Sequence, residues 1–166
     1  EAEYPATPFI PLFNEAWQAG LKITMHAGEW AGAQNVREAI EKFATDRIGH
    51  GVRVLEDEYT TALAREHGTA FEVCITSNYQ TGAVKSLPSH PVPQMIEKKL
   101  NVTLNTDDPS ISQITLSNEY RVAVEDLKIP RETLKERILA AAQASFLTDS
   151  EKKKLIESLK KELSKA

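Results

Sequence analysis

The chain has 166 residues, 41% of them hydrophobic and 27% charged, enough to bury one sizeable core and unlike a disordered or membrane-spanning polypeptide. A net charge of -4 and a pI near 5.6 lack the basic footprint of a nucleic-acid or anionic-lipid binder, leaving a small neutral or polar molecule as the easier ligand. Cys74 is the single cysteine, which excludes an internal disulfide framework and points to a reducing, cytoplasmic setting; the sequence has no signal-peptide pattern and no apolar run of membrane length.

An amphipathic stretch from Ile10 to Gly20 leads in, with Gly20 placed as its C-terminal stop. The apolar run Leu21 to Met25 predicts a first strand and Asn35 to Ala44 its helix. Arg47-Ile48-Gly49-His50-Gly51 predicts a short second strand, with a helix after it from Glu56 to His67 closed by Gly68. Ala70 to Ile75 predicts a third strand running into a polar loop, Thr76-Ser77-Asn78, and Pro91 opens a helix to about Leu100. The fourth strand, Val102 to Asn105, ends in Thr106-Asp107-Asp108-Pro109, where proline forbids simple continuation. Helices fill the remainder: Pro130 suits the first turn of one, and Thr148 with Glu151 forms a capping-box pattern at the start of the last. In that last helix Leu155, Leu159 and Leu163 make one apolar stripe and the lysines a solvated face.

Strand and helix alternate four times, which argues for parallel strands linked by helical crossovers. Ionisable groups gather where the apolar runs stop: His26 and Glu29 after the first, His50 at the end of the second, Asp107 and Asp108 after the fourth. Polar groups at the C-terminal ends of successive parallel strands are the mark of a β/α-barrel active site, but such barrels need eight units and about 250 residues. The expectation is therefore an α/β fold forming half of a (β/α)8 barrel, with residues 1–166 as one unit. An isolated half leaves unpaired strand edges and an open inner face.

Each residue also has a plainer reading. His26 with Glu29 is equally the pattern of a buried histidine beside an exposed acid, and one of Asp107 and Asp108 suits a helix N-cap before Pro109. His50 between two glycines is harder to explain by packing alone, because absent side chains let a ligand or backbone approach closely. Cys74 reads as a buried thiol, His67 as a helix end and His90 as a surface residue before proline; Trp30, next to Glu29, is better placed than Trp17 to reach a substrate.

Four motifs in order resemble those of the adenosine deaminase family: Met25-His26-Ala27-Gly28-Glu29, Arg47-Ile48-Gly49-His50-Gly51, Cys74-Ile75-Thr76-Ser77-Asn78 and Leu104-Asn105-Thr106-Asp107-Asp108-Pro109. The likeness runs through Ala144-Ser145-Phe146-Leu147 and the charged helix after it, so it covers essentially the whole chain. It implies the C-terminal half of a zinc-dependent deaminase that hydrolyses adenosine or 2'-deoxyadenosine. By this resemblance His26 and Asp107 are zinc ligands, and zinc lowers the pKa of a water to about 7. Glu29 protonates purine N1, His50 orients the attacking water and stabilises charge on it, and Asp108 hydrogen-bonds N7. Ser77 and Asn78 fall behind the metal site, and Ile75 replaces a proline frequent after this cysteine.

The family draws two further zinc ligands from a His-x-His motif on its first strand, a pattern the four histidines of this chain do not form. A catalytic zinc needs three or more protein ligands, so the resemblance implies an N-terminal half-barrel as partner, with Glu1 ending a Gly-x-Glu segment just past mid-barrel. Two alternatives stay open: a deaminase of adenine or another aminopurine, and a non-catalytic half-barrel used for association. No glycine-rich loop supports a phosphate-binding barrel, and one cysteine cannot build the Pro-Cys-x-x-Cys zinc motif of nucleic-acid deaminases.

Overall fold

The computed structural model describes residues 4–165; Glu1 lies outside them. Four strands, β1 (Thr24–Ala27), β2 (Arg47–His50), β3 (Ala70–Val73) and β4 (Asn101–Leu104), form one parallel sheet in sequential order. His26 pairs with Gly49, Gly49 with Glu72 and Glu72 with Thr103, so one row of side chains crosses the sheet on a single face. The inner pair β2 and β3 is buried almost continuously, as strands covered on both faces must be.

Nine α-helices accompany the sheet among the described residues: α1 (Ile10–Gln18), α2 (Ala33–Phe43), α3 (Glu58–His67), α4 (Ile75–Gln80), α5 (Val92–Glu97), α6 (Pro109–Ser112), α7 (Leu116–Glu125), α8 (Arg131–Ala144) and α9 (Asp149–Leu163). Val36, Ile40 and Phe43 put the apolar stripe of α2 into the core, where Ile48, Phe71, Val73, Val102 and Met95 are buried with them. The expected stops and caps are present. Gly68 ends α3 in the left-handed conformation, and Thr148 with Glu151 forms a complete capping box on α9.

Three expectations are corrected. The first strand starts at Thr24, not Leu21, because the Asp46 carboxylate accepts the Ile23 N–H at 2.9 Å and Lys22 at 2.8 Å, holding this segment outside the ladder. Thr76-Ser77-Asn78 is not a loop but the body of α4. His90 is not a surface residue: it is buried, and its Nδ1 accepts the N–H of Val92 at 3.2 Å at the start of α5.

The lower part of the inner face is polar and tied to the C-terminal segment. Thr24 Oγ1 donates to Glu72 Oε2 at 2.8 Å, Arg47 Nε lies 3.2 Å from Glu72 Oε1, and the Arg47 guanidinium sits 3.7 Å from the centre of the Phe146 ring. At one edge α1 buries none of its residues and exposes Leu12 and Trp17, with Phe9 and Leu21 exposed beside it. No helix among the described residues is long and apolar enough to cross a membrane.

Candidate metal and active site

The four strands point their C-terminal ends at one cavity of about 370 Å³, lined among others by His26, His50, Glu72, Cys74, Asp107 and Tyr120. His26 and His50 come from adjacent strands, their rings meeting edge to face with centres 4.7 Å apart. Gly49 makes this possible. A Cβ there would stand 2.5 Å from His26 Cδ2, so the imidazole lies where any other residue would put its side chain.

Beyond β1 the chain turns at Gly28, whose φ of 71° and tight approach to Val36 both require glycine. The turn brings Glu29 back over the strand ends, where it is buried with Oε2 3.5 Å from His50 Nε2. His26, Glu29 and His50 thus form one cluster with ligand atoms within 4.8 Å of one another. Asp107 stands at its rim, Oδ2 4.0 Å from His50 Nε2. An imidazole and carboxylate set of this kind suits zinc, which takes nitrogen and oxygen donors without geometric demands of its own. In donor chemistry and mutual spacing His26, Glu29 and His50 could hold such an ion, with Asp107 as a further oxygen donor beside them.

His50 (φ 63°) and Asp107 (φ 60°) are both held in the left-handed region. For non-glycine residues that is uncommon and costs about 1–3 kcal/mol each where the surroundings impose it. Here α4 supplies the surroundings. Ser77 Oγ donates to Asp107 Oδ2 at 2.7 Å, and Asn78 Nδ2 donates to His50 Nδ1 at 3.1 Å, both from buried positions. Nε2 is the ring nitrogen that faces Glu29 and Asp107. Ile75, at the first position of α4, occupies a site where proline is equally at home.

Asp108 is exposed and caps α6, its Oδ1 accepting the Ile111 N–H at 3.3 Å. Of the two adjacent aspartates it is the capping residue, and Asp107 the one drawn toward the cluster. Trp30 is half exposed and its carbonyl accepts from Arg53 Nη1 at 2.8 Å, whereas Trp17 lies on exposed α1. Burial pushes the Cys74 thiol far above the usual range. A larger groove of about 530 Å³ between α3 and α5, lined by Glu58, Arg65, Gln94 and Lys98, contains none of these groups.

The sequence motifs do not single out Glu119, a fully buried carboxylate on α7 that accepts the Thr76 N–H on both oxygens, at 3.3 and 3.2 Å, and the Thr76 hydroxyl. A signal was present: Glu119 falls on the stripe Leu116, Glu119, Ala123, Leu127, where a helix facing the core places apolar residues.

Residues 1–162 match the adenosine deaminase family. The chain belongs to that family. An adenosine deaminase from Klebsiella pneumoniae (strain 342) is 38% identical over 161 residues, covering 97% of this chain and 48% of the relative. An adenine deaminase from Arthrobacter aurescens superposes with a TM-score of 0.94 at 30% identity, over 100% of this chain and 50% of its own. An amidohydrolase from Burkholderia ambifaria with bound Zn shares the fold at a TM-score of 0.85 and 24% identity, over 100% of this chain and 49% of its own. The chain spans about half the length of the curated relatives it matches, and its parallel sheet with helices matches half of the barrel in these structures.

Proposed function

We propose that this chain is the C-terminal half of the barrel of a zinc-dependent purine deaminase, converting adenosine or 2'-deoxyadenosine to inosine or deoxyinosine and ammonia. The observation that carries the reading is the convergence of His26, His50 and Asp107 from three strand ends on one cavity, with Glu29 buried in one cluster with the two histidines. His26 and Asp107 would hold the zinc, which when bound supplies a Lewis acid able to make water nucleophilic near neutral pH. Glu29, buried and turned over the strand ends, would protonate purine N1 as C6 is attacked, since draining electrons from the ring makes C6 electrophilic. His50, whose Nε2 faces Glu29 and Asp107, would orient the attacking oxygen and stabilise charge on it. Asp108 would donate to N7, a nitrogen that can only accept, through the oxygen that does not cap α6.

Two ligands leave the metal short of a catalytic set, so the reading includes a partner half-barrel that contributes the others. The half-length match to relatives, the outer strands β1 and β4 and the exposed apolar residues of α1 support this. Alone, the chain is expected to bind zinc weakly and to turn over negligible substrate.

The test is reconstitution: the chain mixed with a separately produced N-terminal half of the Klebsiella relative, with and without zinc, and products monitored by chromatography. Zinc-dependent inosine formation supports the reading. The Arthrobacter likeness favours one alternative, an adenine deaminase, which the same assay identifies by hypoxanthine release from adenine. Failure to take up zinc in a correctly assembled barrel would instead indicate a non-catalytic association module.

A further inference from the structure

Glu119 is a carboxylate with no exposed surface and no ion-paired cation among the described residues. Burying such a group is costly unless its oxygens are satisfied. They are satisfied by one residue: Thr76, through its N–H at 3.3 and 3.2 Å and through its hydroxyl. Thr76 is the second residue of α4, a helix whose N-cap, Cys74, makes no side-chain capping bond. A carboxylate from another helix therefore does what the local sequence leaves undone, satisfying an N–H that has no partner within its own helix.

The residues after Thr76 give this contact its consequence. Ser77 holds Asp107, Asn78 holds His50, and Gln80 Nε2 donates at 3.2 Å to the carbonyl of Ser112, the last residue of the helix that Asp108 caps. Six residues of helix thus reach the turns after β2 and β4, and both turns carry a residue in left-handed backbone. A short helix has little stability of its own, so its position depends on its anchors.

We propose that Glu119 is a positioning residue of the active site: by capping α4 through Thr76 it fixes the helix that sets the orientations of His50 and Asp107. The inference rests on the site assignment proposed above.

The test uses the assembled barrel carrying Glu119→Gln, with Thr76→Val as a milder variant that keeps the N–H contact, and Ile40→Val as a core control on α2. Hydrogen exchange, zinc affinity by chelator competition, and kcat and KM are compared. Glu119→Gln is expected to speed exchange in residues 75–80 and in the turns at 50–52 and 105–108, and to lower kcat by roughly tenfold with KM little changed. Thr76→Val moves the same quantities less, and Ile40→Val loses stability without moving them. The proposal is overturned if Glu119→Gln loses stability while exchange in the two turns matches the Ile40→Val control. That readout does not need turnover, so an assembled barrel that deaminates no purine overturns the proposed function and still decides this one.

Discussion

Ser77 Oγ and Asp107 Oδ2 lie 2.7 Å apart, joining the helix after β3 to the turn after β4 across 30 residues of chain. The bond uses one oxygen of a carboxylate only one-third exposed and fixes the rotation of the group about its own Cβ. If Asp107 is a zinc ligand, the hydroxyl is the partner that aims it. Ser77→Ala should then lower zinc affinity of the assembled protein by about 10–100-fold, the usual consequence of removing an outer partner of a ligand. Stability should fall by only about 1 kcal/mol. Competition with a chromogenic chelator measures the first and denaturant unfolding the second; an unchanged affinity would remove Asp107 from the metal set.

Gly49→Ala tests the other ligand through steric contact alone. The new Cβ would meet His26 Cδ2 at 2.5 Å and Nε2 at 3.0 Å, so the imidazole must leave its present position beside Gly49. Overpacking of this kind costs about 1–3 kcal/mol, and displacing a ligand should abolish tight zinc binding even though no ligand is mutated. A variant that folds with normal zinc affinity would show that His26 binds metal from a different rotamer, or not at all.

The sequence carried the chemistry further than the local structure. Each group at a strand end was legible because apolar runs stop abruptly at His26, His50 and Asp107, and the paired glycines at 49 and 51 announced close approach. Boundaries were less legible where side chains compete with the ladder, as Asp46 does for Ile23. Helix α4 was illegible for a related reason: Thr, Ser and Asn are weak helix formers that favour caps and turns. What caps them is Glu119, more than 40 positions away, and no local pattern announces so distant a cap. His90 misled through Pro91, because a residue before proline reads as turn and surface, whereas here the turn is packed under α5.

Cys74 should be inert in the folded protein. Burial is the first cause of its raised pKa, and Asp107, Glu119, Glu72 and Glu29 add to it by opposing a thiolate nearby. Since the thiolate is the reactive form, alkylation by iodoacetamide at neutral pH should be slow in buffer and fast in denaturant, and mass spectrometry reads both rates. Rapid native labelling would mean that β3 and α4 open readily at the cavity wall.

His90 makes stability depend on pH in a definite direction. Burial lowers its pKa from the ordinary 6.5 to about 4, so the folded protein keeps the ring neutral while the unfolded chain protonates it. Between these values the unfolded state binds more protons, and stability falls as pH drops from about 6.5 toward 4 and is regained as pH rises. The full loss for a shift of this size is roughly 3 kcal/mol, at about 1.4 kcal/mol per pKa unit. His90→Asn keeps an acceptor for the Val92 N–H, now 3.2 Å from Nδ1, but cannot titrate. Urea unfolding at pH 7 and pH 4.5 should show a smaller drop in stability for this variant than for the parent. Equal drops would mean that His90 does not contribute to the acid sensitivity.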